Sequence, residues 1–195
     1  MRAVLVVANP NPQSFSHAVA QRVEAGLQRS GHDVIVHDLY AEGFRAAMSA
    51  DEHAAYQGDH PVLDPLVQQH IDDIKGAHTI VFIYPTWWSS LPAILKGWFE
   101  RVMVPGVGFV FNEQNKVRPG LTNVRRLVGI TTYGSKWQYI KTINDNGKRT
   151  VKRALRMSTG WGTKSTWLPL YGMDTISPAK REEFLAKVER MAAAL

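Results

Sequence analysis

Two adjacent tryptophans follow a predicted strand in the segment Pro85–Ser90. Proteins bind flat apolar rings between aromatic walls, while neighbouring backbone amides satisfy the polar edge of the ring. Trp87 and Trp88, preceded by Pro85 and Thr86, could provide such walls. The alternative is structural: successive residues need not share a face, so one indole would lie in the core and the other at an interface. The segment therefore indicates either a site for a planar ring or a structural corner.

A second segment, Thr131–Tyr139, is rich in hydrogen-bond donors and aromatic side chains. Gly134 permits close approach of the backbone to a ligand. A reduced flavin carries negative charge along one edge, and backbone N–H groups, Tyr133 or Tyr139 could stabilise that charge. The alternative interpretation is a hydrogen-bonded aromatic loop on the surface.

A third segment, Asn9–His17, leads into a predicted helix. Free N–H groups and the positive end of the helix dipole attract a phosphate at such a position, and the hydroxyls of Ser14 and Ser16 can add hydrogen bonds. Ser14 is also a favourable N-cap residue, so capping without any ligand is the alternative.

The elements that must position these segments alternate along a single domain, residues 1–195. Apolar, β-branched runs predict five strands, at Arg2–Ala8, Asp33–Leu39, His78–Tyr84, Arg125–Thr131 and Thr163–Leu170. Amphipathic or capped stretches predict helices that follow Ser14, cover Ala50–Tyr56, Pro65–Lys75, Leu91–Val102 and Lys148–Ser158, and begin again at Ser177. Residues from Tyr40 to Leu63 have no strong period and are interpreted as a long excursion.

Such an alternation is typical of an α/β fold, here a three-layer flavodoxin-like doubly wound sheet with five parallel strands in the order 2-1-3-4-5. Ligands of these sheets bind beyond the carboxyl ends of the strands, where the strand order reverses. The three segments follow the first, third and fourth strands, so we expect them to converge in one crevice.

The composition excludes several kinds of site. The chain contains no cysteine, which rules out disulfides, thiolate nucleophiles and thiolate metal ligands. Its seven histidines show no metal-ligand spacing. No dinucleotide-binding glycine motif, P-loop or hydrolase nucleophile elbow is present. The absence of a signal peptide and of a long apolar run predicts a soluble, cytoplasmic protein that is not integral to a membrane.

The net charge of +6 favours anionic ligands or partners. The densest set of cations is Lys148, Arg149, Lys152, Arg153 and Arg156. A solvated helix face is the more frequent explanation of such a set. The functional alternative is attraction of the phosphates of NAD(P)H or of another anion. No nucleic-acid-binding motif accompanies the charge, so a nucleic-acid partner is not predicted.

The most specific motif is Leu91-Pro-Ala-Ile-Leu-Lys-Gly-Trp-Phe-Glu-Arg-Val102, preceded by Tyr84-Pro85 and Trp88. Further matching residues are spread over the chain: Ser14-Phe15, Asp38-Leu39-Tyr40, Thr131-Thr132, Gly134 and Tyr139. Together they resemble the NAD(P)H:quinone oxidoreductase family of the DT-diaphorase type over about the whole domain.

This resemblance implies a homodimer with a flavin, FAD or alternatively FMN, at each of two shared sites. It implies a ping-pong reaction in which NAD(P)H donates hydride and a quinone-like acceptor then receives it. It assigns phosphate contacts to Asn9, Ser14, Phe15 and Ser16, and ring contacts to Pro85, Thr86, Trp87, Trp88, Thr131, Thr132, Tyr133 and Gly134. Tyr139 matches the catalytic tyrosine of the family, which hydrogen-bonds the flavin during hydride transfer.

The chain also departs from the family pattern. The family has a histidine where Asn9 stands and a Gly-Gly pair where Tyr133-Gly134 stands. The histidine that partners the family tyrosine would fall near Asn144 or Asp145, and no histidine lies there. Two alternatives on the same fold are a non-enzymatic flavodoxin-type electron carrier and a regulatory flavoprotein subunit of a potassium efflux system.

Overall fold

The computed structural model describes residues 1–58 and 60–195, so Asp59, within the predicted excursion, lies outside the described part of the chain. Its strands are β1 (Arg2–Val7), β2 (Asp33–Asp38), β3 (Thr79–Pro85), β4 (Phe109–Phe111), β5 (Val117–Pro119), β6 (Arg126–Tyr133) and β7 (Lys164–Tyr171). Five of them form a parallel sheet in the order β2-β1-β3-β6-β7, while β4 and β5 form a separate antiparallel hairpin. The predicted flavodoxin-like order is therefore confirmed, with β6 and β7 as the fourth and fifth sheet strands.

The sheet is covered on both faces because its central strands are apolar on both sides. Along β1, Val4 and Val6 lie in one hydrophobic core, whereas Leu5 and Val7 lie in the other. This alternation follows from the period of two in an extended chain. The two cores make the structure a three-layer arrangement with one sheet in the middle.

Eight helices provide the outer layers in the described residues: α1 (Phe15–Arg29), α2 (Ala50–Ala55), α3 (Pro65–Lys75), α4 (Ala93–Val102), α5 (Trp137–Thr142), α6 (Asn146–Arg149), α7 (Leu155–Thr159) and α8 (Pro178–Ala193). Helices α1 and α8 pack on one face of the sheet, and α3, α4 and α7 contribute to the core on the other. Among the described residues, no helix is long and apolar enough to cross a membrane.

Two elements differ from the sequence-based expectation. Trp137–Thr142, expected within a loop, forms helix α5, whose only buried residue is Ile140. One apolar position does not make a helical period, so the pattern could not reveal it. The predicted helix Lys148–Ser158 is present but divided, because Thr150–Ala154 forms a π-helical turn between α6 and α7.

The long excursion after β2 is held against the domain by a helix cap and buried charges. Ser49 and Glu52 form a capping box at α2, in which the Ser49 hydroxyl accepts from Glu52 N–H at 3.1 Å and the Glu52 carboxylate accepts from Ser49 N–H at 2.7 Å. The guanidinium of Arg101 in α4 donates to Glu52 at 2.9 Å and to Asp64 at 2.8 Å. These contacts connect the middle of the excursion, and the residue that follows it, to α4.

Candidate active site at the carboxyl ends of β3 and β6

A cavity of about 400 Å³ lies beyond the carboxyl ends of β3 and β6. Five residues expected in the site line it, namely Thr86, Trp88, Tyr133, Gly134 and Tyr139. The strand register explains why the two segments meet: Pro85 pairs with Thr132, and Thr86 N–H donates to the Thr132 carbonyl at 2.8 Å. The Thr86 and Thr131 hydroxyls lie 2.9 Å apart and join the same two strand ends.

The turn Trp87–Ser90 presents an indole to solvent in a strained conformation. Trp87 and Ser90 exchange two backbone hydrogen bonds of 3.2 and 3.0 Å. The two central residues, Trp88 and Ser89, have φ values of 47° and 60°. Positive φ costs on the order of 1 kcal/mol or more for each non-glycine residue, and such strain often occurs at functional sites.

Neither indole of this turn lies in the core. The Trp88 side chain is 100% exposed and Trp87 is 42% exposed. The structural alternative for this segment, with one tryptophan buried, is therefore wrong. The chain stores backbone strain at a corner that exposes a large flat ring beside a cavity.

The two tyrosines of the second segment have different environments. Tyr139, on α5, is 56% exposed, and its hydroxyl has no hydrogen-bond partner within residues 1–58 and 60–195. The Tyr133 ring is buried, stacks on Tyr171 at 4.9 Å, and its hydroxyl donates to Asp145. Burial, together with the hydrogen bond to Asp145, raises the pKa of Tyr133 well above its usual value. Tyr139 is thus the tyrosine whose hydroxyl is free to meet a ligand.

Four further residues line this cavity. Ser89 and Ser135 lie within the two predicted segments but were assigned no contact, whereas sequence reasoning missed Ile140 and Asp174. Asp174 approaches because Gly134 has no side chain; a Cβ atom there would lie 2.6 Å from Asp174 Oδ2. Asp174 follows β7, a strand that the three-segment argument did not include. The carboxylate therefore reaches the cavity through a close approach that the sequence pattern does not encode.

The first segment lies at the neighbouring strand end rather than in this cavity. The amide of Asn9 donates to the Ser16 hydroxyl at 3.2 Å. Ser14 caps α1, and its hydroxyl lies 2.9 Å from His17 Nδ1. The ring of Phe15 packs against Phe184 with a centroid distance of 6.2 Å. Two of the three predicted segments thus share one cavity, while the expected capping role of Ser14 is confirmed.

A second polar cluster was not visible from the spacing of the histidines. His37 and His70, which are far apart in sequence, stack with ring centroids 3.7 Å apart, and both contact Glu42. Burial alone would raise the pKa of Glu42, but hydrogen bonding to the two imidazoles lowers the pKa to about 2.

The potential ligand atoms of His37, Glu42 and His70 lie within 4.8 Å of one another, as in a metal site. However, Trp98 Nε1–H donates to His70 Nδ1 at 2.9 Å, which places the His70 proton on Nε2, facing Glu42. A metal ion on Nε2 would instead place the proton on Nδ1, against the indole N–H. The cluster therefore fits a hydrogen-bonded core network better than a metal centre.

Comparison with known proteins agrees with the fold. A family described as flavodoxin-like fold matches residues 1–194. The chain is 33% identical over 136 residues to a Haemophilus influenzae protein named uncharacterized NAD(P)H oxidoreductase, covering 69% of this chain and 65% of that protein. It is 31% identical over 153 residues to NAD(P)H dehydrogenase [quinone] 1 of Rattus norvegicus, covering 71% of this chain and 56% of the relative. The chain thus spans less than two thirds of the length of these relatives.

One similar solved structure is the NAD(P)H:quinone oxidoreductase of Methanothermobacter marburgensis, with a TM-score of 0.82 and 27% identity. The superposition covers 99% of this chain and 96% of that protein. Similarity of both sequence and structure therefore extends over the sheet and the loops that form the cavity.

Proposed function

The chain belongs to the flavodoxin-like fold family, among relatives that include quinone-reducing NAD(P)H dehydrogenases, and from this premise we propose that it is a flavin-dependent NAD(P)H oxidoreductase acting on quinone-like acceptors. The resemblance inferred from residues 84–102 is confirmed at the level of the family. Flavin use, the ping-pong order and the residue roles below are proposals.

The observation that carries the proposal is the cavity between the β3 and β6 loops. It combines an exposed flat indole at Trp88, the backbone of Tyr133 and Gly134, and the unpartnered hydroxyl of Tyr139. A flat ring bound there would have an apolar wall on one side and donors at its edge. When bound, a flavin supplies the hydride chemistry, accepting from NAD(P)H and then donating to a quinone in the same slot.

The residues present fit the phosphate tail of such a cofactor. The first turn of α1 contains no acidic residue. The N–H groups of Phe15 and Ser16 belong to the helix start, where no intrahelical acceptor is available. Asn9, Ser14 and Ser16 add an amide and two hydroxyls at the end of β1, next to β3 in the sheet. We assign the phosphate contacts to these residues, with FAD as the cofactor and FMN as the alternative.

The roles of the residues that would contact the flavin ring follow from their positions at the strand ends and from the exposure of their side chains. Pro85, Thr86, Thr131 and Thr132 hold the two strand ends together and offer backbone groups to the edge of the ring. Trp87 and Trp88 cover its face. Tyr139 is assigned the catalytic role, because its exposed hydroxyl can hydrogen-bond the ring as charge develops there.

Exposed aromatic residues around the cavity support a homodimer. Trp88 and Tyr139 line the cavity, Trp137 lies on the same helix as Tyr139, and all three side chains are exposed in the single chain. An accumulation of such side chains beside a site is typical of surface that a partner covers. We therefore propose that a second copy of the chain completes the site, as the family resemblance implies; light scattering of the purified protein measures this directly.

The function is tested by purifying the protein, releasing any bound small molecule by denaturation and identifying it by mass. The flavin-loaded protein is then mixed with NADH or NADPH, first alone and then with a small quinone such as menadione. We expect FAD or FMN in the extract, bleaching of the flavin by the donor and reoxidation by the quinone.

Protein that is colourless and does not take up added FAD or FMN would contradict the proposal. Flavin that is retained but not reduced by either nucleotide would instead favour an electron carrier. If NAD(P)H reduces the flavin but no quinone reoxidises it, the assignment of NAD(P)H as the donor stands and the assignment of a quinone as the acceptor is wrong.

A further inference from the structure

A second and larger cavity, of about 580 Å³, lies on the other side of helix α5 from the first. We refer to it as the basic cavity. Six cationic side chains line it: Lys141, Lys148, Arg149, Lys152, Arg153 and Arg156. Five of them are the set for which the sequence allowed both a solvated helix face and an anion site.

The helical unit from α6 to α7 presents these cations as one face. Gly147, Val151, Leu155 and Thr159 are buried and turn the opposite face toward the sheet. The cations at 148, 149, 152, 153 and 156 follow the same helical spacing and face α5 across the cavity. The π-helical turn Thr150–Ala154 lies in the middle of this face, and such turns are frequent at functional sites.

The positive charge in the basic cavity is not neutralised by the protein. Within residues 1–58 and 60–195, none of the six cations forms an ion pair, whereas Arg22, Arg29 and Arg101 all do. The one carboxylate among the described lining residues is Asp145, which already accepts from the Tyr133 hydroxyl and from Lys148 N–H at 3.0 Å. Concentrated, unpaired cations in a concavity attract an anion and raise its local concentration.

The uncharged residues that line the basic cavity indicate what kind of anion it fits. Trp137 and Tyr171 also line it and provide apolar surface for a flat ring. Ile140 lines both cavities, and Tyr139 and Lys141 flank it on the same short helix. A ligand extending over α5 could therefore place one ring beside Tyr139 and its phosphates among the cations.

We propose that the basic cavity binds the adenosine half of the electron donor, with its pyrophosphate and 2′-phosphate, and so makes the enzyme select NADPH over NADH. This inference rests on the proposed function, since it assumes a nicotinamide ring in the first cavity. Beyond the proposed function, it assigns a binding site for the adenosine half of the donor and a preference for NADPH over NADH. A 2′-phosphate adds up to two negative charges, which is the difference that unpaired arginine and lysine side chains detect.

The test compares the flavin-loaded protein with the double variant Lys152→Gln/Arg153→Gln. Its matched control is Lys180→Gln/Lys187→Gln, which removes two exposed lysines from α8, away from the cavity. We expect the cavity variant to raise KM for NADPH roughly tenfold or more, since charge-assisted hydrogen bonds to phosphate are lost. KM for NADH should rise less, kcat should stay unchanged, and the control should match the unmodified protein.

A binding measurement separates this inference from the proposed function. Calorimetric titration with 2′,5′-ADP needs no turnover, and the cavity variant should bind it about tenfold more weakly than the control.

If the unmodified protein oxidises both nucleotides with equal KM, or if the variant leaves KM and 2′,5′-ADP binding unchanged, the inference is wrong even though the function stands. If inorganic phosphate at the same concentration competes as well as 2′,5′-ADP, the cavity is a general anion site and the nucleotide assignment fails. If neither nucleotide is oxidised but 2′,5′-ADP still binds, the proposed function fails and the cavity remains an adenosine phosphate site.

Discussion

The excursion after β2 and the region after β6 are both irregular and rich in charge. The charges around the excursion are buried and paired within the protein, whereas those after β6 are not paired among the described residues. In the first, Arg101 is buried with Glu52 and Asp64, and His37, His70 and Glu42 contact one another in the interior. In the second, the basic cavity has six cations that form no ion pair within the described chain, and large aromatic side chains stand in solvent.

This difference distinguishes polar groups that stabilise the fold from polar groups that are available to a ligand. Charges that satisfy one another in the interior specify how a segment packs, and losing one partner leaves the other buried alone. Charges and rings left unsatisfied at the surface contribute little to folding, and they remain available to a ligand. Substitutions in the first region should therefore change stability, and substitutions in the second should change binding or catalysis.

The largest effect is expected for Arg101→Leu. It leaves the Glu52 and Asp64 carboxylates without their common partner, and breaking a buried pair costs about 3–5 kcal/mol. The free energy of unfolding in urea measures this loss. Arg153→Leu, in the basic cavity, is the control and should change stability by less than about 0.5 kcal/mol. Equal losses in the two variants would break the distinction between the regions.

A smaller, pH-dependent effect is expected for Glu42→Gln. The folded-state pKa of about 2 lies below the ordinary value of 4.5, so ionised Glu42 stabilises the fold above about pH 4.5. That contribution is lost as the pH falls from 4.5 toward 2. The full shift corresponds to about 3 kcal/mol, and because the Glu42 side chain is partly exposed, solvent screening reduces the expected effect to about 2 kcal/mol. The variant should be less stable than the parent by this amount at pH 7, and the gap should narrow at pH 3. Urea unfolding at several pH values checks this; a gap independent of pH would refute the assignment.

Trp88→Gly should stabilise the protein while weakening its function. Glycine accepts the positive φ of this position without strain, which should add about 1 kcal/mol to the free energy of unfolding. Loss of the exposed indole should weaken flavin retention or raise KM. Trp161→Gly removes another exposed indole at a residue without positive φ, and it should not stabilise. A destabilised Trp88→Gly variant would show that the turn is not strained.

The smallest effect on stability is expected for Tyr139→Phe. The hydroxyl is exposed and has no partner within the described chain, so unfolding should change by less than about 0.5 kcal/mol. Flavin should stay bound, while its reduction by NAD(P)H becomes slower in rapid-mixing experiments. Tyr40→Phe, at another exposed tyrosine, serves as the control. Unchanged reduction kinetics in Tyr139→Phe would remove this residue from the mechanism.

Most of the fold could be predicted because parallel strands buried on both faces leave continuous apolar runs, and β1, β3 and β6 are such runs. The convergence of Thr86, Trp88 and Gly134 follows from the same sheet, since parallel strands end at one edge. Sequence pattern thus identified the part of the site that strand order controls.

The features of the site that could not be predicted depend on contacts between residues that are far apart in sequence. His37 and His70 meet only because β2 and α3 pack together, and Asp174 reaches the cavity only because Gly134 leaves room. Helix α5 buries a single residue, Ile140, so it has no period to detect. The unpaired state of the cations could not be predicted either, because pairing depends on the surrounding carboxylates in space.

The contrast between Trp88 and Trp98 gives the protein two internal optical reporters. Trp98 is fully buried, so its fluorescence should be emitted at short wavelength and should respond mainly to unfolding. Trp88 stands wholly in water, so its emission should be shifted to the red and quenched when a ring stacks on it. The chain has four further tryptophans, at 87, 137, 161 and 167. In a variant in which phenylalanine replaces those four, occupancy of the site and integrity of the core could be followed separately in one emission spectrum, without any attached dye.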